Sequence, residues 1–279
     1  MKKVSWVVLV LALLAVLVVP SVSAAQTKAT TPQFNVFAAA SLNKAFPAMV
    51  PVFKKNNPQY RNVKFVFNFQ GTDTLVAQIQ QGAPADVFAG ASVKYGTTLF
   101  NGGLIATPRN FCQNRLEVIL PAANPAGIAS LTDIATKSDY VAIGAPSVPI
   151  GSYTSGVLDK MVASGNFGPT SGTTYKTTVL SKAVTCLNVT QVVSLVLLGE
   201  VDAGFVYHSD ATYAGTRVKD ILIDDAYQTN PLPTYPIART TSTKMPKLAQ
   251  RFVTFVMGVN GQKILKQWGF MAKPKVTTP

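Results

Sequence analysis

From Phe34 onward, short apolar runs alternate with stretches in which apolar residues recur every three or four positions. Parallel strands buried on both faces read as continuous apolar runs, and the helices that cover them bury a single stripe, so the pattern predicts an α/β chain. Strands are expected at 34–39, 63–69, 86–89, 116–120, 140–144 and 203–207. Helices are expected at 42–55, 74–81, 93–101, 153–164, 189–198, 246–256 and 262–268. Pro47 and Pro51 fall inside the first helix and predict that it is kinked or shortened. Residues 166–174, rich in Gly, Ser and Thr, read as a surface loop, and 230–236, with three prolines, as an extended crossover.

The apolar run at 7–19 is of another kind. Lys2 and Lys3 precede it, and Pro20 and a stretch of small residues follow, which is the layout of a secretory signal peptide over residues 1–25. The small-x-small pattern fits cleavage after Ala24 or Ala25, no cysteine lies there to carry a lipid, and the run is shorter than the roughly 20 residues of a membrane span. The remaining chain is expected to work outside the cytoplasm as a soluble monomer, and it is long enough for two lobes. The full chain's 25 basic and 12 acidic residues give a net charge of +13, two units of which leave with the signal peptide. Such an excess favours anionic partners. The bases are scattered along the chain without a basic run or interleaved aromatics, so nucleic acid is not expected and the charge reads as solubility and steering of a small anion. Cys112 and Cys186 can form a disulfide in an exported chain; two buried free thiols are the alternative.

Catalytic signatures are sparse. The one histidine, His208, stands in Tyr207-His208-Ser209-Asp210, but no G-x-S-x-G elbow accompanies it, and one His with two distant cysteines makes no zinc site. There is no phosphate-binding loop, no dinucleotide fingerprint and no calcium loop, so no cofactor is expected and the chain reads as a binding protein rather than an enzyme. Strand-to-helix junctions offer more. Phe37-Ala38-Ala39-Ala40-Ser41-Leu42 and Phe69-Gln70-Gly71-Thr72-Asp73-Thr74-Leu75 each end a strand and open a helix with hydroxyl residues. In an open α/β sheet, ligands bind beyond the carboxyl ends of the strands, and helix N-termini there present free N–H groups suited to an anion. The alternative is that Ser41 and Thr72 cap their own helices.

These junctions carry a resemblance. Val36-Phe37-Ala38-Ala39-Ala40-Ser41-Leu42 is similar to the opening of the molybdate-binding proteins that serve ATP-driven importers, and the stretch from Gln78 through Gly82-Ala83-Pro84-Ala85-Asp86-Val87-Phe88 is similar to that family's most specific segment. Ile143-Gly144-Ala145-Pro146-Ser147-Val148-Pro149-Ile150-Gly151-Ser152-Tyr153 and Gly199 to Ala211 resemble its later motifs, in order over essentially the whole mature chain. The resemblance implies a two-lobed periplasmic-binding-protein fold of type II, with lobe 1 at 34–111 plus 230–279 and lobe 2 at 112–229. It implies capture of molybdate or tungstate for a membrane permease, with sulfate or phosphate as the alternative ligand and an exported hydrolase as the more distant one. The oxyanion would be held by the hydroxyls and backbone N–H groups of Ser41 and Thr72, the backbone N–H groups of Ile150 and Val189, and the hydroxyl of Tyr207; molybdenum enters only as molybdate, through these residues. The chain departs from the family at Gly71-Thr72-Asp73, where serines are common. Asp73 is expected to turn outward and not to be a ligand.

Overall fold

The computed structural model describes residues 31–167 and 172–273; the expected signal peptide lies outside them, as does part of the loop read at 166–174. Ten strands and ten helices are present among the described residues. The strands are β1 (Gln33–Ala39), β2 (Lys64–Gln70), β3 (Val87–Ala89), β4 (Arg109–Gln113), β5 (Leu116–Pro121), β6 (Val141–Gly144), β7 (Ala183–Cys186), β8 (Ala203–Tyr207), β9 (Val218–Leu222) and β10 (Thr234–Arg239). The helices are α1 (Ala45–Asn56), α2 (Thr72–Gln80), α3 (Val93–Asn101), α4 (Leu131–Lys137), α5 (Pro149–Ala163), α6 (Gly172–Ser181), α7 (Val189–Leu198), α8 (His208–Ala214), α9 (Pro246–Met257) and α10 (Val259–Gln267).

Two five-stranded mixed sheets result, ordered β2-β1-β3-β10-β4 and β7-β6-β8-β5-β9. In the first, β1 runs parallel to β2 and β3, while β10 lies antiparallel between β3 and β4. In the second, β6 runs parallel to β7 and β8, and β5 lies antiparallel to β8 and β9. The alternation along β1 explains the double cover. Phe34, Val36 and Ala38 enter the large core with Phe46, Phe53 and Phe252 of α1 and α9, while Phe37 points to the opposite face, against Leu75, Val76 and Ile79 of α2.

The first helix is shortened as its prolines require. Ala40–Leu42 forms a 3-10 turn and α1 begins only at Ala45, which places Pro47 in the first turn, where its missing N–H costs no hydrogen bond; Pro51 is the one proline left inside. Four strands are additional to those expected: β4, β7, β9 and β10. The segment read as a Pro-rich crossover thus ends in β10, which tolerates Pro236 beside a register shift against β4. The chain crosses between the sheets at Asn114–Arg115. Arg109–Gln113 pairs with β10 in the first sheet. Cys112 and Cys186 are both free and buried, one in β4 and the other in β7, at strands of different sheets. The disulfide is thus absent, since each thiol is fixed in its own sheet.

Candidate functional site

The C-terminal ends of the parallel strands of both sheets face one small cavity of about 20 Å³. Its first wall is Ala39, Ala40 and Ser41 at the end of β1 and just beyond it, and Gln70, Gly71 and Thr72 likewise at β2, with Ala91 beyond β3. The other wall is Val148, Pro149 and Ile150 at the start of α5, Asn188 and Val189 at the start of α7, and Tyr207 at the end of β8. All five residues expected at the site line this cavity. It is bounded by the N-termini of α2, α5 and α7, whose first-turn N–H groups have no partner within their own helices. Neither α2 nor α5 has a side-chain cap; Asn188 caps α7 by accepting from Gln191 N–H at 3.1 Å.

The hydroxyls are arranged as donors. Thr72 is the first residue of α2 rather than its cap, and its Oγ1 accepts from the Ala91 N–H at 3.1 Å, which leaves its own proton to donate. Ser41 does not cap either; its Oγ lies 3.0 Å from the Tyr235 hydroxyl, which Asn114 Nδ2 also approaches at 3.5 Å. Tyr207 is 2% exposed, and its hydroxyl neighbours that of Tyr235 but has no partner in bonding geometry. Burial first, and the nearby phenol of Tyr235 second, hold the Tyr207 phenol well above its ordinary pKa, so it remains protonated. A buried hydroxyl without a partner costs free energy unless a ligand satisfies it.

No lining residue carries a charged side chain. The nearest acid on α2, Asp73, is not among the lining residues: its carboxylate accepts from Ser147 Oγ at 3.3 Å, across from the loop before α5, and its other oxygen is buried without a partner. Ser147 also accepts, through its carbonyl, from the Tyr95 hydroxyl. With Asn43 Nδ2 donating to Thr190 Oγ1 at 3.2 Å, these contacts join the two walls around the cavity rather than inside it. Gly71 is required by this closeness. A Cβ there would meet Asp73 Oδ1 at 2.6 Å and the Leu187 carbonyl oxygen at 2.7 Å.

The hydrolytic reading finds no geometry. His208 Nδ1 lies 2.6 Å from Glu117 Oε1, while the neighbouring Ser209 accepts from Asn114 Nδ2 at 2.9 Å and Asp210 faces the Tyr207 backbone N–H. Three successive residues of one helical turn point in different directions, so no triad forms. The hydrogen bond to Glu117 raises the His208 pKa against the opposing effect of burial.

Residues 34–271 match the family model of the bacterial extracellular solute-binding proteins. The chain belongs to this family. It is 37% identical over 241 residues to the molybdate-binding protein ModA of Mycobacterium tuberculosis, covering 86% of this chain and 84% of that one. Among solved structures, it is similar to the substrate-binding domain of a putative molybdenum ABC transporter from Clostridium difficile, with 28% identity, a TM-score of 0.62, and 87% and 99% of the two chains covered. The Azotobacter vinelandii periplasmic molybdate-binding protein, at 21% identity, shares the fold, with a TM-score of 0.73 over 87% of this chain and 100% of that one. The two mixed sheets with flanking helices are those of a type II periplasmic binding protein.

Sequence reasoning missed part of the site. Asn188 was legible, being an Asn immediately before an apolar helical run. Gln70 ends β2, Ala91 lies just beyond β3, and neither carries a signal of its own. Tyr235, which holds Ser41, lies in the Pro-rich stretch that did not read as a strand.

Proposed function

We propose that this solute-binding protein captures molybdate or tungstate outside the cytoplasm and delivers it to the permease of an ATP-driven importer. The observation that carries the reading is a cavity with donors and no countercharge. Ser41, Thr72 and Tyr207 supply hydroxyls and Ile150 and Val189 supply first-turn amides from α5 and α7. A tetrahedral dianion has four oxygens, each able to accept several hydrogen bonds, and charge-assisted bonds to an anion are the stronger kind. Three helix N-termini add diffuse positive potential without an ionic partner that would have to be desolvated. The 37% identical relative is named a molybdate-binding protein, which favours molybdate over sulfate or phosphate.

The lobes in this reading are residues 31–113 with 230–273, and residues 114–229. They close on the ligand about the two crossings, the hinge motion by which such sites exclude water. Residues 1–25 act as a cleaved signal peptide, and the protein works as a monomer without a cofactor.

The test is thermal unfolding of the processed protein with each oxyanion in turn. A ligand that binds only the folded state stabilises it by about 2.7 kcal/mol at a hundredfold excess over its dissociation constant. Molybdate and tungstate are expected to raise Tm, and equal concentrations of sulfate or phosphate to leave it nearly unchanged. An equal shift with sulfate would remove the molybdate assignment; no shift with any oxyanion would remove the site.

A further inference from the structure

The charge that is scattered along the sequence is segregated in space. Residues 31–113 and 230–273, which build the first sheet and its helices, contain fourteen basic residues and two acidic ones, whereas residues 114–229 contain seven basic and ten acidic. Twelve positive charges therefore belong to one half of the molecule and the other half is slightly negative. All four ion pairs among the described residues lie in the second half: Arg115–Asp225, Lys137–Asp133, Lys176–Asp159 and His208–Glu117. In the first half, Asp86 is buried and bonded to Asn35 N–H and the Thr243 hydroxyl, and Asp73 is tied to Ser147.

The fold then gathers much of this charge at one end. β1, β2 and β3 run in parallel toward the cavity, so the start of β2 and the end of the antiparallel β10 lie at the opposite pole, together with the C-terminus of α1 and the start of α9. A groove there is lined by Tyr60, Arg239, Lys247, Gln250 and Arg251. Lys55, Arg61, Lys64 and Lys244 stand exposed on the same elements. Nothing acidic is exposed among them.

We propose that the pole of the first half opposite the cavity is a docking surface for an anionic lipid surface. Several unpaired cations on one face, with an aromatic side chain in the groove, form the electrostatic footprint that anionic headgroups attract, each cation acting within a Debye length of the membrane. Adsorption confines the protein to the layer in which a membrane importer operates. The surface is remote from the cavity and stands whichever solute is carried.

The experiment is co-sedimentation of the processed protein with vesicles of phosphatidylglycerol and phosphatidylcholine, and with vesicles of phosphatidylcholine alone. Binding to the anionic vesicles is expected to be at least about tenfold stronger, and to fall steeply as salt is raised above about 0.15 M. The combined variant Lys64→Glu, Lys244→Glu and Lys247→Glu is expected to abolish it. A control with the same change of net charge at exposed positions elsewhere, Lys219→Glu, Lys266→Glu and Lys273→Glu, is expected to retain most of it. Oxyanion-induced shifts in Tm, unchanged in both variants, keep this test separate from that of the binding site and report folding. Equal binding to neutral vesicles, equal loss in the two variants, or retention on a soluble polyanion without binding to anionic vesicles overturns the proposal.

Discussion

Asp210 is fully enclosed in the first turn of α8, with one carboxylate oxygen bearing no partner and the other facing the Tyr207 backbone N–H. Burial raises its pKa from 3.8 to about 7, the backbone N–H only partly opposing the shift. The folded protein thus keeps a proton on this acid that the unfolded chain releases near pH 4. Stability rises with pH where the unfolded state binds more protons; here the folded state binds more, so stability must fall as pH rises from about 4 to about 7 and then level off. Three pKa units correspond to about 4 kcal/mol, and within the window the slope is about 1.4 kcal/mol per pH unit. Asn keeps an acceptor for the Tyr207 N–H and cannot ionise, so Asp210→Asn removes this dependence. The assay is urea unfolding of ligand-free wild type and variant across that window, taking the difference between them so that the other carboxylates cancel. The variant is expected to gain on the wild type steadily toward pH 7, by several kcal/mol in total. A difference that stays constant to within about 1 kcal/mol over the window would refute a neutral, buried Asp210.

Two further outcomes test the cavity. Tyr207→Phe removes a buried hydroxyl that has no protein partner, so it is expected to keep or raise ligand-free stability while weakening oxyanion binding by roughly ten- to a hundredfold, measured by calorimetric titration; Ser41→Ala is expected to weaken binding similarly, with some loss of stability from its bond to Tyr235. Gly71→Ala drives a methyl group against the Leu187 carbonyl oxygen of the facing wall, so affinity is expected to fall by more than about tenfold, and a normal titration curve for this variant would show that the two walls need not approach so closely.

The amino-acid sequence by itself determined the α/β class and the junction motifs, because both are local. A strand that ends in small residues and a helix that opens on a hydroxyl are set within a few positions, and Ser41 and Thr72 each sit at such a junction, whereas Ile150, Val189 and Tyr207 came only with the family resemblance. It did not determine β4, β7, β9 and β10. These strands have short, mixed or Pro-containing sequences, and pairing with a neighbour rather than periodicity makes them strands. Tertiary structure alone decided that five residues spread from position 41 to 207 line one cavity, and that Cys112 and Cys186 are held in separate sheets. It also set Asp73 against Ser147, since the opposite wall supplies a donor that the helix alone does not. The raised pKa of Asp210 and the concentration of positive charge at one pole have the same origin. Desolvation and surface potential depend on what the folded chain places around a group, and the residues that do so are distant in sequence.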